Sequence, residues 1–445
     1  MLDQSFSVDN FQRIVDLANR KGVHVEDKLS MDAIKKFNEQ IRDCNSKIRT
    51  KRKAGDKTAV KALYDTKKEI RENKNSALHL ELEQISQNIA KKSFKIQLKK
   101  VDIPGAKSLY TTSNTPENYF ALKQIQRNIS RLFGVKQANR YAIVEQVISL
   151  LSDNFPKFII RTDIKDFYES IRHEPLLERI HRDNLLTPFS RNILTGVLKS
   201  YKLKSGSTKG VPRGIGVSAY LAELYMRNID NEIQDLQGVT YYARYVDDIV
   251  IIFTPSPTEG SRQYLAEVKE IVEKKHQIRL NTAKTKTIDL TANGSSNTID
   301  YLGYKISFGS GAVKTQLTQS KINRYRERIK SAFDHYVNLS KINEKLARKV
   351  LVKRIRFLTG NTRLANNKKN ILVGIYYSNN HLTHRNQLDG LDNYLSWQIS
   401  HRISSRHLKP RLQKYRFKDG YEQKRFSPFT PSELLEIMEV WKKPF

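Results

Sequence analysis

The stretch Tyr242–Phe253, YARYVDDIVIIF, constrains this chain more than any other. Two β-rich runs, Tyr241–Tyr245 and Ile249–Phe253, flank the short acidic turn Tyr245-Val246-Asp247-Asp248. The pattern predicts a buried hairpin with adjacent carboxylates at its tip. Neighbouring carboxylates repel each other and burial makes each costlier, so such a tip needs a compensating cation. The simpler reading is an exposed Asp-Asp turn, since Asp is a good turn residue. A second carboxylate changes the balance. Asp163 follows the β-rich run Lys157–Thr162 (KFIIRT) and directly precedes a helical stretch. Two neighbouring strand ends would bring Asp163 and Asp247 to one rim of a sheet. Oxygen-only ligands of that kind suit Mg²⁺. Two such ions, about 3.5–4 Å apart, would clamp the attacking and leaving oxygens of a phosphoryl transfer.

The surrounding pattern predicts an α+β layer. Residues 31–95 read as helices, with Ile34, Phe37, Ile41 and then Leu78, Leu80, Leu82, Ile85, Ile89 as apolar positions, joined by the basic connection Lys51–Asp56. Residues 97–112 read as extended around Pro104-Gly105, and Thr115-Pro116-Glu117 as a helix start. Helices are expected over Phe167–Ile180, Val217–Ile233 and Gly260–Lys275, a Gly/Ser/Pro loop over Gly206–Gly216, and strands over Ile278–Asn281 and Tyr301–Phe308. Helices and strands in this order suggest a mixed sheet with helices on one face. Beyond Gly311 the pattern is mainly helical, over 318–340, 342–359 and 387–405. No internal repeat or low-complexity linker is visible.

Composition narrows the partners. The 445 residues include 79 Lys+Arg against 46 Asp+Glu, a formal net charge of +33. The excess sits in the flanks: residues 1–100 carry net +9, 101–310 net +6 and 311–445 net +18. Clustered charge of one sign marks a polyanion partner, most often nucleic acid. The alternative is basic helical faces that merely solvate. A hydrophobic fraction of 38% supports real cores and excludes wholesale disorder. No apolar run approaches the roughly 20 residues a membrane span needs. The start MLDQSFSVDN has acids and no apolar signal region, and the one cysteine, Cys44, can form no internal disulfide, so a reducing cytoplasm is expected.

Five segments in order carry a resemblance: TDIKDFYESI (Thr162–Ile171), GVPRGIGVSAYLAELY (Gly210–Tyr225), Tyr242–Phe253, LNTAKTKT (Leu280–Thr287) and YLGYKISF (Tyr301–Phe308). Together they resemble the successive motifs of reverse transcriptases, in the style of group II intron and retron enzymes. The resemblance covers about 97–310 well and the arms less well. It implies a right-hand polymerase fold, with a helical N-terminal extension (1–95), fingers (96–156 and part of 172–209), a palm with an antiparallel sheet (157–310) and a helical thumb with a basic C-terminal region (311–445).

The resemblance also implies roles. Asp163, Asp247 and Asp248 would be the catalytic acids, holding two Mg²⁺ (or Mn²⁺) ions. Tyr168 falls at an aromatic steric gate against ribonucleotides; otherwise it is a packed core tyrosine. Asp166 reads as a helix cap or surface acid. In the loop Gly210-Val211-Pro212-Arg213-Gly214, Arg213 stands where the family usually has Gln, beside Gly214, so nucleotide choice does not carry over. Lys284 matches a lysine near the triphosphate, with Lys286 as rival. Lys100 and Lys107, with Arg140 third, are candidates for gripping the triphosphate. Tyr301-Leu302-Gly303-Tyr304 resembles the segment that supports the primer end; otherwise it is core strand. Lys321, Arg324, Arg326, Arg328 and Lys330, and then Lys349, Lys353, Arg354 and Arg356, would follow the phosphates of a template–primer duplex.

The arm segments Gln4–Ser7, Asn10-Phe11, Asn19–Gly22, Gly360–Leu364 and Asn366-Asn367-Lys368 resemble bacterial defence-associated reverse transcriptases, especially the first enzyme of a two-polymerase antiviral system. That implies a dedicated non-coding RNA template, a DNA product made from dNTPs, a second reverse transcriptase or oligomeric assembly, and a prokaryotic cytoplasm. The alternatives are a retron or group II intron polymerase, or a polymerase-like RNA-binding protein without turnover. No protease, maturase or nuclease signature accompanies the palm, and intact acids argue against a pure binder.

Overall fold

The computed structural model describes residues 2–20, 25–29, 31–153, 155–255, 263–290, 297–309, 311–364 and 371–441. Asn366-Asn367-Lys368, the end of Asn19–Gly22 and the expected helix start at Gly260 lie outside them. The chain divides into two compact units, Met1–Lys136 with Ile171–Tyr225, and Gln137–Ser170 with Met226–Phe445. Among the described residues no helix is long and apolar enough to cross a membrane.

In the first unit the expected N-terminal helices form over Val8–Arg20, Asp32–Lys53 and Lys57–Ala90. The Lys51–Asp56 connection turns through Gly55 at φ +75°, a conformation glycine adopts without a Cβ penalty. Asp56 then caps the next helix, accepting from the Ala59 amide at 3.0 Å. Leu78, Leu82, Ile85 and Ile89 form its buried stripe, whereas Leu80 is 66% exposed. Strands β1 (Leu98–Val101) and β2 (Leu109–Thr112) pair antiparallel around Pro104-Gly105. Thr115 caps the helix Pro116–Leu132, whose first position is the proline.

The expected helix Phe167–Ile180 is interrupted. Short helix Phe167–Ser170 stops and His173–Arg182 starts afresh. The Ile171 carbonyl accepts the Gly210 amide at 2.6 Å, and Arg172 forms a β-bridge with Lys209, so this backbone is committed to a neighbouring strand-like segment.

The second unit holds strands β3 (Phe158–Asp163), β4 (Val239–Tyr245), β5 (Asp248–Phe253) and β6 (Lys286–Asp289), in the antiparallel order β4-β5-β3-β6. A second sheet contains β7 (Asn297–Tyr301), β8 (Tyr304–Phe308) and β9 (Lys314–Leu317). Ile159, Val250, Ile252 and Ile288 of the first sheet share one core with Tyr301, Tyr304 and Ile306 of the second.

Three strand expectations change. Ile278–Asn281 gives only an isolated bridge, Leu280 to Ile164; the strand is β6, which begins five residues past Asn281. Only Ile288 of KTID is buried, so β6 owes its state to pairing with β3 rather than to an apolar run. Tyr301–Phe308 is not one strand but the β7–β8 hairpin. Leu302 and Gly303 take φ +46° and +81°, the two positive values of a tight hairpin turn, and a leucine there gives no turn signal. The C-terminal part, besides helices Gln319–Ser340, Glu344–Thr359, Asn386–Arg402 and Pro431–Met438, contains the hairpin β10 (Asn361–Leu364) and β11 (Ile371–Gly374).

The short arm segments are packing locks. Gln4 donates to the Leu185 carbonyl at 2.9 Å and accepts from the Thr187 amide at 3.0 Å. Asn10 is fully buried and bonds Asp3, Ser5 and Arg127. Asn361 is 1% exposed; it donates to the Gly420 carbonyl at 3.0 Å and accepts from the Tyr376 amide at 2.9 Å. A Cβ on Gly420 would lie 1.6 Å from the Thr359 carbonyl, so no other residue fits there.

Candidate active site

The β3–β5 register sets Asp163 opposite Asp248. The β4–β5 register pairs Tyr245 with Asp248, leaving Val246-Asp247 as a two-residue turn. Val246 has φ +62°, a strained value for a β-branched residue, and strain of this kind persists only when its surroundings impose it. Arg244 supplies the constraint. It donates to the Val246 carbonyl at 2.9 Å and grips both carboxylate oxygens of Asp230 at 2.8 Å. Tyr242 donates to the same carboxylate at 2.7 Å. The Asp247 carbonyl accepts the Ile164 amide at 3.0 Å, tying the turn to the end of β3.

The three carboxylates thereby converge. Oxygen atoms of Asp163, Asp247 and Asp248 all lie within 4.8 Å of one another, with Asp163 buried and the other two half-buried. Hard oxygen donors at this spacing can hold a metal ion, and they suit Mg²⁺ or Mn²⁺ better than a thiolate-seeking metal. Burial, reinforced by Asp247 and Asp163 and opposed by Arg161, holds the Asp248 carboxyl above its ordinary range.

Two cations answer the clustered charge. Arg161 donates to Asp248 at 2.5 Å and to the Lys284 carbonyl at 2.9 Å. The Lys284 ammonium meets Asp163 at 2.9 Å, and Asn281 donates to the other Asp163 oxygen at 3.1 Å. Lys286 instead donates to the Thr298 carbonyl, so Lys284 rather than its rival meets the acids. Arg161, Asn281 and the Arg244–Asp230 pair were not among the expected site residues. Arg161 carried a signal: it lies two residues before Asp163, on the same strand face, in an otherwise apolar run.

Tyr168 sits in helix Phe167–Ser170, half-buried, its ring edge-on to Phe167 at 5.2 Å. Arg213 and Gly214 lie against the β1–β2 hairpin of their own unit. The Arg213 carbonyl accepts the Tyr110 amide at 2.7 Å, and Gly214, at φ +103°, would put a Cβ 2.8 Å from the Tyr110 carbonyl. Lys100, in the same hairpin, pairs with Asp102 at 3.1 Å, and Lys107 lies in its turn. Arg140 belongs elsewhere: its guanidinium donates to the Leu302 carbonyl at 3.0 Å and covers the Tyr304 ring, bracing the β7–β8 turn. Tyr301 and Tyr304 are fully buried core residues. Lys321 also lies over the Tyr304 ring, and burial, then Arg140 and Arg324, push its ammonium down to about 7.

The basic C-terminal residues separate into two kinds. Arg324, Arg326 and Lys330 are exposed on helix Gln319–Ser340, and Arg328 is half-buried over the Trp441 ring. In the second cluster Lys349 is exposed, whereas the other three are engaged within the protein. Lys353 is paired with Glu433 and Glu436 at 3.2 and 2.7 Å. Arg354 is 1% exposed and donates to the carbonyls of Ile437 and Glu436. Arg356 covers the Phe429 ring. These residues fasten helix Pro431–Met438 to helix Glu344–Thr359.

Residues 117–306 match the family model described as reverse transcriptase (RNA-dependent DNA polymerase). Among curated proteins none matches the chain. Similar solved structures include an apo telomerase from Candida tropicalis truncated from its C-terminal domain, at 15% identity and TM-score 0.37, covering 50% of this chain and 55% of that one. The telomerase of Candida albicans in complex with a TWJ fragment of telomeric RNA gives 11%, 0.35, 81% and 66% in the same order. Apo telomerase from Candida tropicalis gives 13%, 0.39, 78% and 60%. This chain thus spans about half to two thirds of their length. The matched segment holds all three acids, and it is similar to a reverse transcriptase domain, on the α+β right-hand fold expected from the sequence.

Proposed function

We propose that this protein copies an RNA template into DNA, adding deoxynucleotides to a 3′ hydroxyl at Asp163, Asp247 and Asp248. The observation that carries the reading is the convergence of these carboxylates at paired strand ends inside the reverse transcriptase domain. The acids would hold two Mg²⁺ (or Mn²⁺) ions, which when bound lower the pKa of the attacking hydroxyl and neutralise the leaving pyrophosphate. The chain's own residues do the rest. Arg244 and Asp230 hold the Val246-Asp247 turn in place. Lys284 reaches the acids on a flexible stem, half-exposed, suited to moving between Asp163 and a triphosphate. Tyr168 fits a gate against a ribose 2′-hydroxyl, while Arg213, Gly214, Lys100 and Lys107 would line the nucleotide's approach. Residues 96–156 with 172–209, 157–310 and 311–445 would serve as fingers, palm and thumb. Arg324 and Arg326, with Lys321 and Arg328 beside them, would follow the phosphates of the duplex.

The finer reading is phage defence in a prokaryotic cytoplasm, with a dedicated non-coding RNA as template and a second reverse transcriptase as partner. It is supported by the resemblance of the arm segments around Gln4, Asn10 and Asn361 to defence-associated reverse transcriptases. Asp247→Asn tests the catalytic assignment: Mg²⁺-dependent incorporation should vanish while RNA binding stays within a few-fold. Retained polymerisation would overturn the assignment. Sequencing the nucleic acids that copurify with the protein tests the template: one recurrent RNA supports a dedicated template, and a random transcript sample sinks it.

A further inference from the structure

Helix Asn386–Arg402 carries an aromatic ladder on its exposed face. Tyr394, Trp397 and His401 are spaced three and four residues apart, so they share one stripe. The Tyr394 and Trp397 rings are nearly parallel, at 19° and 6.2 Å, and Trp397 meets His401 at 31° and 4.6 Å. Trp397 is 50% exposed, which is costly for the largest apolar side chain unless something covers it. The ladder is held in place before any ligand arrives. His401 Nδ1 donates to the Trp397 carbonyl at 2.9 Å, and Gln398 donates to the Tyr394 hydroxyl at 3.0 Å.

A free cation stands beside it. From neighbouring helix Gln319–Ser340, the exposed Arg326 places its guanidinium 5.7 Å from the Tyr394 ring. Arg402, which closes the ladder's helix, is paired with Asp334. After the buried Asp392, this helix has no carboxylate; its exposed residues are Asn393, Ser396, Trp397, Ser400 and His401. Parallel aromatic planes beside arginine, on a segment of net +18, match the face of a nucleobase and its phosphate. A duplex hides its base faces, so only an unpaired strand can use such planes.

We propose that Trp397, with Tyr394, His401 and Arg326, forms a stacking site for unpaired nucleobases of a single RNA or DNA strand. The proposal goes beyond the polymerase reading and can fail separately from it, because binding is measured without nucleotide addition.

The test uses the full chain carrying Trp441→Phe, so that Trp397, one of two tryptophans, is the sole tryptophan emitter under selective excitation. Oligo(U) of about ten nucleotides, within the usual single-strand site size, should quench the emission, and a blunt duplex of equal charge should quench far less. With both tryptophans present, Trp397→Ala should weaken oligo(U) binding by roughly 5- to 150-fold, the loss expected for one stacked base. Trp397→Phe should restore most of it, and the thermal midpoint should not move for a half-exposed side chain. Equal quenching by duplex and single strand would overturn the proposal. So would unchanged oligo(U) affinity in Trp397→Ala, including the case where that variant loses self-association instead, which would make the face a protein interface.

Discussion

Arg244→Met separates two jobs that one side chain performs. Arg244 is 9% exposed and makes a two-pronged pair with Asp230, and its third contact holds the Val246 carbonyl. Removing the guanidinium leaves the Asp230 carboxylate largely buried beside Tyr242 without its cation. Stranding one member of a buried pair costs about 3–5 kcal/mol. Asp230 keeps some exposure, so the lower figure, about 3 kcal/mol, is expected, against a total stability of about 5–15 kcal/mol. Urea unfolding followed by tyrosine and tryptophan emission reads this loss. Adding Asp230→Leu removes the stranded charge and should recover most of the stability, because apolar replacement of a buried pair is often neutral. Activity should not follow. In both variants the Val246 carbonyl has lost its donor, and the strained turn that presents Asp247 is free to relax. Primer extension should therefore stay at least tenfold down in the double variant. Full extension in the double variant would refute the anchoring role. A single-variant cost below about 1 kcal/mol, the size of an exposed pair, would refute the buried-pair argument.

The divided basic surface predicts opposite phenotypes. Arg324→Gln with Arg326→Gln should flatten the salt dependence of duplex binding by about two phosphate contacts, roughly 0.9 in log–log slope each, with stability unchanged. Arg354→Met should leave that slope alone and lower the unfolding midpoint, since its donors serve the carbonyls of Ile437 and Glu436. Lys321 sets a pH signature. With its ammonium pushed down to about 7 in the folded chain from 10.5, the unfolded chain binds the extra proton between those values. Stability contributed by this position should rise from pH 7 towards 10, and Lys321→Met should remove that rise, as read from urea midpoints across the range.

Legibility in the sequence followed chemistry more than geometry. The three acids were readable because buried strand ends rarely carry carboxylates without a purpose. Helices with caps, such as Thr115-Pro116 and the turn at Gly55, were readable because the signals are local. β6 was not, because its one buried residue gives no pattern and its partner β3 is more than a hundred residues away in sequence. The β7–β8 turn hid behind Leu302, whose positive φ is unusual for leucine. Lys353 and Arg354 looked like phosphate ligands because charge density alone does not show direction. Their partners come from the final helix, about 80 residues later. Arg161 was readable in principle, since a lone arginine two residues before Asp163 on a buried strand needs an acid on the same face.

Arg161 and Lys284 also bear on how the protein is made. The acidic triad brings two cations of its own, each already seated on a carboxylate. Many metal centres cannot assemble until the ion arrives, and their folding energy is the ion's binding energy. Here the charge is largely balanced by side chains within the same unit. The sheet β4-β5-β3-β6 can therefore form before any ion is bound. A bound ion would displace the Lys284 ammonium or the Arg161 guanidinium from carboxylates already held by the sheet.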